Sequence, residues 1–217
     1  MSRTARGAVA VVGPAVLLGV LAADGWRTHV PVVEVVGSLQ APWVLLPFAV
    51  AAWLGAGRLR CGALLGACTG FTAIASYYVY EALAYTLHAA TSQLTKSHGV
   101  FWVLGATVGG AVAGVLGSVA TASRHRVVPA LAWCVVAAVP AAEALLLVRF
   151  PAAVADPTTL RWVPAGLVVT ALAVLTLAVR RCGRRAVARA APGALLLAGT
   201  AFAVLVWAEE HLAYLTF

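Results

Sequence analysis

The sequence predicts an all-α integral membrane protein with about seven transmembrane helices, joined by short loops. Hydrophobic residues make up 63% of the 217 residues and charged residues only 10%, whereas soluble domains carry about 25% charged residues. Apolar runs that approach the length of a bilayer crossing, about 20 residues, recur along the chain. So few charged side chains cannot cover the surface of a water-soluble fold, and most of the surface is therefore expected to face lipid.

Seven apolar segments are predicted to span the membrane. In chain order they are residues 7–24, 42–57, 62–88, 100–121, 128–149, 161–179 and 193–215. The first follows Arg3 and Arg6 and is interpreted as a retained signal anchor, and the second is the shortest. The stretch 28–41 is broken by Pro31 and contains Glu34, so we interpret it as an interfacial or re-entrant element.

The connections between the spans leave no room for a soluble domain. The longest predicted loops are residues 89–99, 150–160 and 180–192. Residues 1–217 are therefore expected to form a single helical transmembrane domain. The four cysteines have neither CxxC spacing nor paired histidines, and they indicate neither a metal site nor a disulfide framework.

The lysines and arginines predict the orientation of the chain. With the N-terminus in the cytoplasm and the C-terminus outside, eleven of the fifteen basic residues lie on the cytoplasmic side. The net charge of +8 is then an orientation signal of a multi-pass plasma-membrane protein, and it predicts no nucleic-acid partner. The group Arg180, Arg181, Arg184 and Arg185 is expected either to contact anionic headgroups or to serve topology alone.

Small residues predict where helices pack closely. The third span carries Gly62, Gly66 and Gly70 at intervals of four residues. The fourth span carries Gly110, Gly114 and Gly117, and a further pair, Gly105 and Gly109. Such spacing lets two backbones approach each other and gain dispersion contacts in lipid. We therefore expect a tight hairpin between the third and fourth spans.

All seven acidic residues fall in the outer half of this arrangement. Glu81, Glu143 and Glu210 lie on three different spans at similar depth, about 8–10 Å below the outer rim at 1.5 Å per residue. A carboxyl group that is withdrawn from water holds a proton more readily. These three groups therefore predict a protonatable site that faces outward, whereas Glu209 points to the opposite side of its helix.

Aromatic and imidazole side chains accompany two of these carboxyl groups. Tyr77, Tyr85 and His88 share a helical face with Glu81. Trp207 and His211 share a face with Glu210. The alternative is structural, with carboxyl groups that extend to the interface or bond to tyrosines and fix helix register. The spacing matches no metal-binding motif, and neither a metal nor a cofactor is expected.

The middle of the chain resembles an uncharacterised family of small actinobacterial polytopic integral membrane proteins. The resemblance lies in the run APWVLLPFAVAAWLGAGRLRCGALLGACTGFTAIASYY and the following FWVLGATVGGAVAGVLGS, and it covers roughly residues 38–121. The family carries no assigned activity. The resemblance therefore implies a fold class and a membrane location, and no catalytic residue.

Three functions remain open from the sequence. The favoured one is a small-solute or ion transporter, or a solute-binding subunit, which uses the outward-facing carboxylate–tyrosine cluster. The second is a membrane-embedded enzyme that acts on a lipid or isoprenoid, similar to a terpene cyclase, with Glu81 as proton donor. The third is a non-catalytic assembly or regulatory protein. Because the chain shows no clear internal repeat, a transporter of this size is expected to need a homo-oligomer or partner subunits.

Overall fold

The described residues of the chain form seven helices. A computed structural model describes residues 3–28, 39–54, 58–84, 97–122, 126–149 and 157–212, and no strand occurs in these ranges. The helices are α1 (Arg3–Thr28), α2 (Ala41–Leu54), α3 (Leu59–Ala84), α4 (Ser97–Ala122), α5 (Val127–Arg149), α6 (Pro157–Cys182) and α7 (Arg184–Leu212). The predicted all-helical fold class is confirmed for the described residues.

Four of these helices contain a segment that is long and apolar enough to cross a membrane. The segments are Leu59–Ala84, Trp102–Thr121, Val127–Val148 and Trp162–Cys182. Large apolar side chains cover the outside of the bundle: Leu83 on α3 is 82% exposed and Trp162 on α6 is 77% exposed. An extended apolar surface of this kind is unfavourable in water and favourable in contact with lipid. The four helices therefore indicate a membrane protein.

Helix α2 is shorter than a bilayer crossing. Its 14 residues extend about 21 Å, against about 30 Å for the hydrocarbon core. Pro47 lies inside it and has no N–H to donate to the carbonyl of Trp43, so one backbone bond of this helix is missing. Its described part ends at Leu54, and residues 55–57, the end of the predicted span, lie outside the described ranges.

The predicted loop at residues 180–192 is wrong. Helix α6 runs to Cys182 and α7 begins at Arg184, so Gly183 alone separates them. Gly183 has a φ of +90°, a conformation that residues with a Cβ rarely adopt. Its N–H donates to the carbonyl of Val179 at 2.9 Å, and its own carbonyl accepts from Val187 at 3.2 Å. The apolar run ends at the arginines, and for this reason the sequence predicted a loop. The helices continue because arginine and alanine are strong helix formers.

The helices pack as two groups that meet at α4 and α5. In the first group, α3 packs against α4 more extensively than any other pair, and it also packs against α1. Helix α2 lies against α3 and α4. In the second group, α6 and α7 both pack against α5 but make little contact with each other. Contacts of α5 with α4 and α2 join the groups through a core around Phe48, Ala132 and Val136.

Glycines bring the backbones of α3 and α4 into direct contact. A Cβ at Gly66 would overlap the carbonyl oxygen of Gly110, and one at Gly114 would overlap that of Gly62. Gly70 meets the carbonyl of Ala106 in the same way. The contact therefore runs along about two and a half turns of both helices, with backbone against backbone at Gly66, Gly70 and Gly114.

The other glycines of α4 have different surroundings. A Cβ at Gly117 would overlap the carbonyl of Phe48, so Gly117 packs against α2 and not against α3. Gly105 and Gly109 have no atom within 4 Å of the Cβ position and lie on the exposed side of α4. One helix thus uses glycine against two different neighbours and also carries glycine on an open face.

The contact predicts unequal costs for the same substitution. Gly66→Ala should lower the free energy of unfolding by about 1–3 kcal/mol or more, because the methyl group forces two backbones apart. The matched control, Gly109→Ala, meets no atom and should be neutral or stabilise the helix by up to about 1 kcal/mol. Denaturant unfolding of the purified protein in detergent, followed by circular dichroism, measures both. Equal costs for the two variants would contradict the assigned contact.

Candidate functional site

Glu81 is the acidic residue with the least exposed side chain in the described structure. It lies on α3 and is 1% exposed. At 100° per residue it lies about 20° from Gly70 around the helix, so it continues the glycine face toward the end of α3. The antiparallel register of α3 and α4 places it level with the first turn of α4, which begins at Ser97. The predicted protonatable residue is therefore located inside the bundle, where the closest helix pair ends.

Two of the three tyrosines that precede Glu81 on α3 are adjacent in the chain. Tyr78 is buried and Tyr77 is half-buried. Their rings meet edge to face, with centroids 5.2 Å apart and an interplanar angle of 81°, a favoured arrangement for aromatic pairs. Tyr77 lies four residues before Glu81 and therefore on the same side of the helix. Of the predicted companions of Glu81, Tyr85 and His88 lie outside the described residues.

Tyr80 and Asp24 form a polar contact that sequence reasoning missed. The Tyr80 hydroxyl donates to Oδ1 of Asp24 at 2.9 Å, and both residues are half-buried. The bond joins α1 to α3, next to the point where Gly19 lets α1 approach the backbone of Ala73. Asp24 ends the first apolar run, and the sequence treated it only as an outer charge. The tyrosine-rich run before Glu81 was the available signal for such a partner.

Glu143 binds the beginning of α2. Its two carboxylate oxygens accept hydrogen bonds from the backbone N–H groups of Gln40 and of Ala41, the latter at 2.9 Å. The carbonyl of Gln40 accepts from Val44 at 3.3 Å, so Gln40 is the N-cap residue of α2. Pro42, which follows Ala41, has no N–H to satisfy. A carboxylate from α5 thus performs the capping role, at the positive end of the helix dipole.

The described structure does not place Glu143 and Glu81 in one cluster. Both oxygens of Glu143 face α2, near the small core formed by Leu39, Ala144 and Leu167. Helices α2 and α4 lie between α3 and α5, which make no extensive contact of their own. The two carboxyl groups that the sequence placed at one depth therefore have separate surroundings.

The third predicted carboxyl group lies on α7. Residues Trp207, Glu210 and His211 belong to the last turns of this helix, which continues to Leu212. Their side chains lie outside the part of the structure that is described. The helix itself packs against α5, with little contact to α6.

A narrow apolar crevice lies between α1, α2 and α3. It is too narrow to admit water, and its lining consists of Leu18, Trp43, Leu46, Pro47, Thr69, Gly70 and Ala73. The hydroxyl of Thr69 donates to the carbonyl of Leu65 on its own helix at 2.7 Å. Thr69, the one hydroxyl-bearing residue of this lining, therefore already has a hydrogen-bond partner on its own helix. Within the described residues, no group of three or more histidine, cysteine or acidic side chains is arranged to hold a metal.

Comparisons with protein-family models, curated proteins and solved structures give no match. The assignment of a function therefore depends on the contacts of this chain alone.

The cap on α2 predicts a stability effect at Glu143. Glu143→Gln replaces one acceptor oxygen by a donor, which leaves one backbone N–H without a partner, and should cost about 1–3 kcal/mol of unfolding free energy. The control Gln40→Ala keeps both N–H groups and removes an exposed side chain, so it should change stability by at most about 0.5 kcal/mol. Hydrogen exchange at the Gln40 and Ala41 amides provides the direct readout. Unchanged protection in Glu143→Gln would contradict the cap.

The bond between α1 and α3 predicts an energetic coupling. In a double-mutant cycle, Tyr80→Phe and Asp24→Asn should couple by about 0.5–1.5 kcal/mol, because Tyr80→Phe removes the donor and Asp24→Asn replaces the carboxylate acceptor by a weaker amide oxygen. Tyr78→Phe combined with Asp24→Asn is the matched control and should be additive. Unfolding free energies in detergent supply the four corners of each cycle. A coupling equal to that of the control pair would show that the bond contributes nothing.

Proposed function

We propose that the protein is a plasma-membrane transporter or solute-binding subunit for a small solute or ion, with Glu81 as the group that binds the proton or cation. The observation that carries the proposal is the position of Glu81, which is 1% exposed and continues the glycine face of α3. A charged group in the membrane interior is expensive, and such residues commonly mark ion and proton pathways. Tyr77, on the same side of α3, supplies a neighbouring hydroxyl.

The contact between α3 and α4 supports a role that requires movement. Its backbones touch at Gly66 and Gly70 without side chains between them, and such surfaces can slide or tilt by small amounts. A change in the charge of Glu81 acts at the end of this contact. Binding of a proton or cation there would therefore favour one arrangement of the two helices over another.

The proposal includes seven spans, with the N-terminus in the cytoplasm and the C-terminus outside. Apart from Arg27, Arg149 and Arg161, which lie at the opposite end, the described arginines support this orientation. Arg58 and Arg60 lie before or at the start of α3, Arg126 precedes α5, and five arginines surround the α6–α7 turn. Since successive helices alternate in direction, these positions lie at the same end of the bundle. Helix α2 enters with its capped N-terminus at the opposite end. A second copy or a partner subunit completes the transport path.

A second candidate is a non-catalytic assembly or regulatory protein. It is favoured by the contacts of Glu143 with α2 and of Asp24 with Tyr80, because both carboxyl groups join helices. In that case Glu81 also serves packing alone. The third possibility, an enzyme that acts on a lipid or isoprenoid, stays a prediction from sequence, and the described contacts do not favour it.

Reconstitution distinguishes the first two candidates. Proteoliposomes with a trapped pH-sensitive dye are exposed in turn to gradients of Na⁺, K⁺ and a mixture of the standard amino acids. The wild-type protein should move protons under at least one gradient, and Glu81→Gln, which cannot lose a proton, should reduce the flux to that of empty liposomes. The matched control Glu209→Gln makes the same change at a carboxyl group that the proposed site does not include and should keep the flux.

Two results would contradict the proposed transport role. One is wild-type flux that Glu81→Gln leaves intact. The other is the absence of flux under every gradient, together with a lower unfolding free energy of Glu81→Gln, which is the result expected of a structural residue.

A further inference from the structure

Six arginines surround the turn between α6 and α7, and we call this group the arginine corner. Its members are Arg126, Arg180, Arg181, Arg184, Arg185 and Arg189, all of them exposed. Five lie within ten residues of the chain. The sixth comes from the beginning of α5, and its Nη1 lies 3.9 Å from the position that a Cβ of Gly183 would occupy. The turn and a neighbouring helix thus contribute guanidinium groups to one surface.

The packing of small residues directs these arginines outward. Cys182, Ala186 and Ala190 are buried against α5 in one core cluster with Ala130 and Cys134. Because one side of each helix is occupied by this contact, the arginines between those positions remain exposed. The one-residue turn at Gly183 keeps the two sets of arginines together.

The arginine corner carries a local electrostatic cost. Arg185 and Arg189 are four residues apart on one helix, a spacing at which like charges repel. Arg184 and Arg185 lie in the first turn of α7, at the positive end of its dipole, and that turn contains no acidic residue. By contrast, Arg180 and Arg181 lie in the last turn of α6, where positive charge is favourable.

No carboxyl group on the same helices is close enough to offset this charge. Glu143 lies 17 residues beyond Arg126, a distance of about 25 Å along α5 at 1.5 Å per residue. Glu209 lies 20 residues beyond Arg189, which corresponds to about 30 Å along α7. An external anion is therefore the simplest source of compensation.

We propose that the arginine corner binds the phosphate groups of anionic phospholipids. Guanidinium groups match phosphate oxygens with paired N–H donors, which a diffuse positive charge does not. A lipid is favoured over free phosphate because apolar surface begins at the corner: Leu177 and Leu172 of α6 are exposed, and α6 and α7 barely touch each other. The headgroup then lies on the arginines and the acyl chains lie along α6. The inference does not depend on the proposed transport role.

The test uses the purified full-length protein in mild detergent. Phosphatidylglycerol and phosphatidylcholine with identical acyl chains are titrated while thermal unfolding is followed, and native mass spectrometry counts the retained lipids. Wild-type protein should retain and be stabilised by phosphatidylglycerol in preference to phosphatidylcholine. The triple variant Arg184→Gln, Arg185→Gln and Arg189→Gln should weaken the apparent affinity for phosphatidylglycerol roughly 10- to 100-fold.

Two further variants isolate the geometry from the charge. Arg58→Gln with Arg60→Gln removes exposed arginines at the start of α3, which packs extensively on neither α6 nor α7, and should keep the preference. Arg184→Lys, Arg185→Lys and Arg189→Lys keeps the charge but loses the paired donors, and should lose part of the preference. The lysine variant keeps the measurement decisive if the glutamine variant does not fold.

Three results would overturn the proposal. The first is an equal response of the wild-type protein to both lipids. The second is an equal loss of preference in the control at Arg58 and Arg60, which would indicate a general effect of positive charge. The third is full stabilisation by the soluble headgroup glycerophosphoglycerol, which would identify a free phosphate ester as the ligand.

Discussion

The direct contact between the backbones of α3 and α4 determines the arrangement of the first four helices. In lipid, apolar side chains gain little from meeting one another, so helices associate through close packing and interhelical hydrogen bonds. Gly66 and Gly110 let α3 and α4 approach closely. Glycine also lets α1 approach α3, at Gly19 of α1, and lets α2 approach α4, at Gly117 of α4. The position of Glu81 is a consequence, because a residue on the glycine face of α3 is carried into the interior wherever that face is covered.

The short helix α2 explains why a carboxylate is present in α5. The first backbone N–H groups of a helix have no partners within that helix, and lipid cannot satisfy them. Glu143 accepts from two of them and Pro42 lacks a third. Asp24 likewise accepts a hydrogen bond from another helix, in this case from the side-chain hydroxyl of Tyr80. Acidic residues in this protein therefore differ in role according to what faces them, and depth alone does not distinguish a cap from a binding group.

The sequence predicted local features well and partners poorly. Apolar runs revealed the helices, and the four-residue glycine spacing indicated the packed face of α3, because both signals lie within one segment. The same spacing at Gly105 and Gly109 of α4 faces open space, so the spacing alone does not identify a contact. The partner of Glu143 could not be found in this way, since Gln40 is 103 residues away and contributes only its backbone. The helix that contains Arg184 and Arg189 was missed because a span predicted from hydropathy ends where charged residues begin. Arginine nevertheless has a high helix propensity.

The single-residue link at Gly183 makes the second half of the fold sensitive to chain length. Each residue of a helix turns the next by about 100°. An extra residue after Gly183 would rotate the beginning of α7 by that angle and carry Ala186 and Ala190 away from the surface of α5 that they cover. A longer loop can change its conformation to accommodate an inserted residue, but a link of one residue cannot. Genuine relatives of this chain should therefore vary in residue type around the turn and keep the number of residues constant.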